Sequence, residues 1–109
     1  MNTDRQYRKR GDFMRLYISH DKPYLIFLLA DYMNKLLLDK KVDLIINGKK
    51  TTGRVTSLTL EDAPYNNILI SIGDNSFPIP ILNDSKARLG KEMVRVETSN
   101  HTTIIEILD

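Results

Sequence analysis

The sequence contains no cysteine and no tryptophan. The first absence excludes disulfides, zinc–thiolate sites and thiol catalysis, and it fits a reducing, cytoplasmic setting. No long apolar run is present. The longest, Tyr24 to Ala30, falls far short of the ~20 residues needed to span a bilayer, so no membrane association is expected. The polar, basic start of the chain has no adjoining apolar h-region and predicts no signal peptide. Gly-rich phosphate loops, nucleophile elbows and His-based triads are also missing. The two histidines, His20 and His101, stand far apart without the spacing of a metal site. Glu61, Asp62, Asp74 and Asp84 each fit a turn or helix cap. These absences together predict a protein that is not an enzyme and holds no cofactor or metal.

What remains is 109 residues of ordinary globular composition, 41% hydrophobic and 28% charged, enough for one domain with a core of its own. The net charge of +2 hides an uneven distribution. Residues 1–15 carry Arg5, Arg8, Lys9, Arg10 and Arg15 against Asp4 and Asp12, and the rest of the chain is close to balanced. Residues 1–12 lack apolar periodicity and read as a flexible basic arm. Residues 13–109 read as one globular domain.

Within that domain, Phe13 to Ile18 alternates weakly, as a short strand would. Ser19 to Pro23 is a helix start, with Asp21 or Lys22 as N-cap and proline in the first turn. Leu25, Leu29, Tyr32, Met33 and Leu36 then recur at spacings of three and four. Ile26, Leu28 and Leu37 widen the apolar face, so the helix is expected to be covered on more than one side. Val42 to Ile46 and Thr51 to Leu60 flank Asn47-Gly48, a strong hairpin signal. The second strand changes phase between Val55 and Leu58, which predicts a bulge near Thr56-Ser57, and Gly53 adds a bend. Asn67 to Ile72 reads as a strand, and Gly73 to Ser76 as a turn. Phe77 to Leu82 is extended, with prolines that restrict it to an edge. Asn83 to Gly90 reads as a capped helical turn closed by glycine. Met93 to Glu97 and Thr103 to Leu108 are closing strands.

This order resembles two patterns of small β-barrel proteins. Val42 to Thr56, with its Asn-Gly turn and Gly53-Arg54-Val55 step, is similar to the Sm/Hfq pattern of helix, strand, turn and strand. Arg10-Gly11, the helix, Gly53-Arg54-Val55 and Ile79-Pro80-Ile81 resemble the YolD-like family, over roughly residues 10 to 82. The resemblance implies an α+β fold: an N-terminal helix packed on a small, strongly bent antiparallel Sm/SH3-like β-barrel of five or six strands.

The expected function is a binding module for nucleic acid, RNA or DNA, or for a nucleic-acid-handling protein with an acidic surface. Arg5, Arg8, Lys9, Arg10 and Arg15 would neutralise phosphates, and Tyr7 would stack on a base. Lys49, Lys50 and Arg54 would extend the track, although lysines at a hairpin tip also serve solubility and suppress edge pairing. Two alternatives stand beside this reading. One is a phage or mobile-element inhibitor, anti-CRISPR-like, acting by contact with a host nuclease. The other is a homo-oligomeric Sm-like ring. Six of the eight aromatic residues, Tyr7, Phe13, Tyr17, Tyr24, Phe27 and Tyr32, lie in the first third of the chain. Phe27 and Tyr32 are expected in the core, and Tyr7 and Tyr17 partly exposed.

Overall fold

A computed structural model describes residues 14–18, 22, 24–61, 67–82 and 84–109. The arm with Arg5, Tyr7, Arg8, Lys9 and Arg10, and also Phe13, His20, Asp21, Pro23 and Asp62, lie outside the described residues. Among the described residues the chain forms β1 (Met14–Tyr17), α1 (Tyr24–Leu37), β2 (Lys41–Ile46), β3 (Lys49–Leu60), β4 (Asn67–Ile72), β5 (Asn75–Pro80), β6 (Lys86–Leu89), β7 (Met93–Thr98) and β8 (His101–Ile107).

The helix buries Ile26, Leu29, Met33 and Leu37, spaced by three and four residues, against the sheet. Leu25, Tyr32 and Leu36 flank this stripe and are half-buried. The opposite face is open: Tyr24, Phe27 and Leu28 are 56%, 47% and 55% exposed. The expectation of a helix covered on several sides, with Phe27 in the core, is therefore corrected. The Lys22 carbonyl accepts the first-turn bond from Leu25 N–H at 3.0 Å. At the other end Asp39 adopts φ 67°, a left-handed C-terminal cap made by aspartate rather than glycine. Asp31 and Lys35 pair at 3.1 Å one turn apart and, being exposed, contribute only a few tenths of a kcal/mol.

Asn47 and Gly48 both have positive φ, 49° and 88°, as a two-residue hairpin turn requires. The Asn47 side chain also accepts a bond from Thr102 N–H at 2.9 Å, tying this turn to the start of β8. β3 is twelve residues long and changes partner along its length: its first half pairs with β2 and its second with β4. The register shifts between Val55 and Ser57, the bulge that the phase change predicts. Val55 before the bulge and Leu58 after it consequently point into the same core.

The strands form one antiparallel sheet in the order β1-β6-β7-β8-β2-β3-β4-β5. It has eight strands and is open, which corrects the five- or six-stranded barrel; the α+β class stands. The β5 edge has a chemical reason to stay unpaired. Glu61 N–H bonds to the Asn67 carbonyl, so Asn67 faces β3. By alternation Ile68, Ile70 and Ile72 face β5 and meet Ile79, Phe77 and Asn75. Pro78 and Pro80 are left pointing at the free edge, where they offer no N–H to another strand.

Lys86 to Leu89 is a strand, which corrects the helical turn expected there. Its alternating burial sends Ala87 and Leu89 into the core, and pairing with β7 satisfies its backbone. Gly90 makes a strand-end bond to Met93 instead of a helix cap. The inner face of the sheet and the buried stripe of α1 share one apolar cluster that includes Leu44, Val55, Ile70, Ile79, Val94 and Ile105. Each such side chain contributes ~1.5–3 kcal/mol on burial. The sheet thus has an inner face packed with the helix and an outer face turned away from that core.

Candidate functional site

On that outer face the side chains that alternate away from the core are strongly basic at one end. In β6, Lys86 and Arg88 point outward while Ala87 and Leu89 point in. In β7, Val94 and Val96 are buried, and Arg95 and Glu97 take the outer face. In β1, Arg15 and Tyr17 are exposed on either side of half-buried Leu16. Register does the rest. Arg15 stands directly opposite Arg88, and Arg88 directly opposite Arg95. Three arginines therefore lie in a line across three strands, ~10 Å from end to end at ordinary strand spacing. The next outward row reads Tyr17, Lys86, Glu97.

Like charges placed directly opposite one another oppose folding, by roughly 0.2–1 kcal/mol per pair. Among the described residues the ion pair in this group joins Arg95 to Glu97, two positions along the same strand, 3.1 Å from Nη2 and accepting from Nε at 3.2 Å, while Glu97 also stands directly opposite Lys86. That pair is part-exposed and stabilises little. Four cations thus face one carboxylate around a shallow depression of about 160 Å³ lined by Arg15, Tyr17, Lys86, Arg88, Arg95 and Glu97. Planar guanidiniums bind phosphate and carboxylate oxygens in a bidentate fashion, and a row of them can follow a repeating anion.

Of the residues that the sequence singles out, Arg15 belongs to this row. Lys50 shares the outer face, opposite Ile45, but at the far side of β8 and β2, and its ammonium lies 3.8 Å from Asp43. Lys49 is exposed beside the hairpin turn. Arg54 is engaged elsewhere: its guanidinium donates to the Asp39 carbonyl and, at 3.3 Å, to Asp109. Asp109 also accepts from Lys41 N–H at 2.9 Å. That backbone bond, opposed by desolvation and helped by the nearby Arg54 charge, lowers the pKa of Asp109 below its ordinary value.

Lys86 and Arg88 are absent from the sequence reading because Asn83 to Gly90 reads there as a helical turn, and Arg95, although on a strand in that reading, then has no basic neighbour to align with. The signal was present in Lys86-Ala87-Arg88-Leu89 and Val94-Arg95-Val96-Glu97, where charge alternates with an apolar residue at the period of a strand. Among the described residues no group of three metal-ligating side chains converges, and no helix is long and apolar enough to cross a membrane. No known protein family, curated protein or solved structure matches this chain.

Proposed function

We propose that the protein is a non-enzymatic binding module for nucleic acid, with the outer face of β1, β6 and β7 as its contact surface. The observation that carries this reading is the line of Arg15, Arg88 and Arg95, set opposite one another around a depression whose lining among the described residues includes one carboxylate, Glu97. An arrangement that costs folding energy in the free protein is repaid when phosphates lie along it and condensed counterions leave. Arg5, Arg8, Lys9 and Arg10 precede Arg15 in the sequence and add four positive charges to the same chain.

The test is fluorescence anisotropy with labelled DNA and RNA at several salt concentrations. It compares the full chain, Arg88→Glu and a chain lacking residues 1–10. The reading expects binding that weakens steeply with salt, with a log–log slope that shrinks by about 0.7–0.9 for each phosphate contact removed. Absence of binding at low salt would overturn it.

A second reading has its own observation. Tyr24, Phe27 and Leu28 form an exposed apolar stripe on α1 beside a shallow depression lined by Leu16, Leu28, Tyr32 and Leu89. That surface favours a role as an inhibitor or adaptor that works by protein contact. A protein of that kind would ignore free nucleic acid and lose its partner on Leu28→Asp.

A further inference from the structure

We infer that the polymer on this face is single-stranded, with its backbone along Arg15, Arg88 and Arg95 and an unpaired base stacked on Tyr17. The inference rests on the nucleic-acid reading above and narrows it to a substrate class.

Tyr17 is 62% exposed, the highest value among the exposed large hydrophobic side chains of the described residues. It lies on the same outward row as Lys86 and is one two-residue repeat along β1 from Arg15, ~7 Å away. Its cross-strand neighbour is a lysine, so no apolar side chain on the adjacent strand covers the ring. A large exposed ring beside a guanidinium row is the composition of a stacking platform with a phosphate track. A duplex hides its base faces in the stack and has no use for such a ring. Among the described residues the helix packs into the core on the inner face of the sheet, so this outer face presents no recognition helix to a duplex groove.

The experiment uses one labelled sequence as DNA and as RNA, each single-stranded and annealed to its complement. The full chain is titrated alongside Tyr17→Ala and Tyr17→Phe. Because Tyr17 is exposed, both variants should melt as the parent does, and thermal unfolding checks this. The expected result is tighter binding of single strands than of duplexes, about tenfold weaker single-strand binding by Tyr17→Ala, and retention by Tyr17→Phe. Duplex binding as tight as single-strand binding, or single-strand affinity unchanged in Tyr17→Ala, overturns this inference and leaves the nucleic-acid reading standing. No binding to any of the four probes at low salt overturns both.

Discussion

The Cγ2 methyl of Ile72 lies 2.5 Å from the point where a Cβ on Gly53 would stand. Gly53 is opposite Val42 on β2, and Ile72 closes β4 against Val55, so the approach occurs where β3 passes from one partner to the next. Ile72 is 6% exposed, and the offending methyl is carried on its branched Cβ, so it can move only by rotation of a stiff χ1 within the core. Gly53→Ala is therefore expected to destabilise the fold by ~1–3 kcal/mol, through overpacking rather than lost backbone freedom. A urea titration reads this as a lower midpoint with an unchanged slope. An unchanged midpoint would show that the bend yields freely.

The arginine row predicts opposite effects on stability and binding. Arg88→Thr removes the middle charge and puts a good strand former in its place. It should raise stability by roughly 0.2–1 kcal/mol at low salt, and the gain should fade at high salt as the repulsion is screened. The same variant should bind nucleic acid more weakly and with a shallower salt dependence. Thermal melts at two ionic strengths, beside the anisotropy titration, check both halves. A variant that loses stability together with affinity would identify Arg88 as structural.

Thr103 is 1% exposed on the inner face of β8, between Ile46 and Val96, and its hydroxyl has no hydrogen-bond partner among the described residues. A buried hydroxyl without a partner costs ~1–3 kcal/mol of desolvation. Thr103→Val keeps the branched shape and removes that cost. It should raise the denaturation midpoint by an amount equivalent to about 1 kcal/mol. A loss of stability instead would reveal an internal water bonded to the hydroxyl.

Asp109 accepts from Lys41 N–H and from Arg54, and its folded pKa is lowered from the ordinary 3.8. A lowered folded pKa stabilises the protein above the unfolded value, and that contribution is lost as pH falls through the folded value. Asp109→Asn should therefore be less stable than the parent at neutral pH. The gap should close as pH drops below 3.8. Midpoints for both proteins between neutral and acid pH test this, and a gap that ignores pH would contradict it.

Local chemistry made several elements legible. The spacing of Leu25, Leu29 and Met33 marked the helix because its period is a property of the chain alone. Asn47-Gly48 marked the hairpin because few residue pairs tolerate two positive φ values, and the phase slip between Val55 and Leu58 marked the bulge. The prolines of β5 announced an edge because a missing N–H is written in the residue itself. Of the candidate contact residues, Arg15 and the alternation around Arg88 and Arg95 could be read as outward-facing positions of strands.

Only the tertiary structure decided that these positions meet. Arg15, Arg88 and Arg95 come from separate strands, and the two registers that align them are set by hydrogen bonds between segments distant in sequence. Likewise, the pairing of β8 with β2 joins the two halves of the sheet and leaves it open, with β1 and β5 as edges. Composition and periodicity specify which face a side chain takes, because that follows from the geometry of one element. Which side chains stand beside it across the sheet is a property of non-local pairing, and the basic face exists only there.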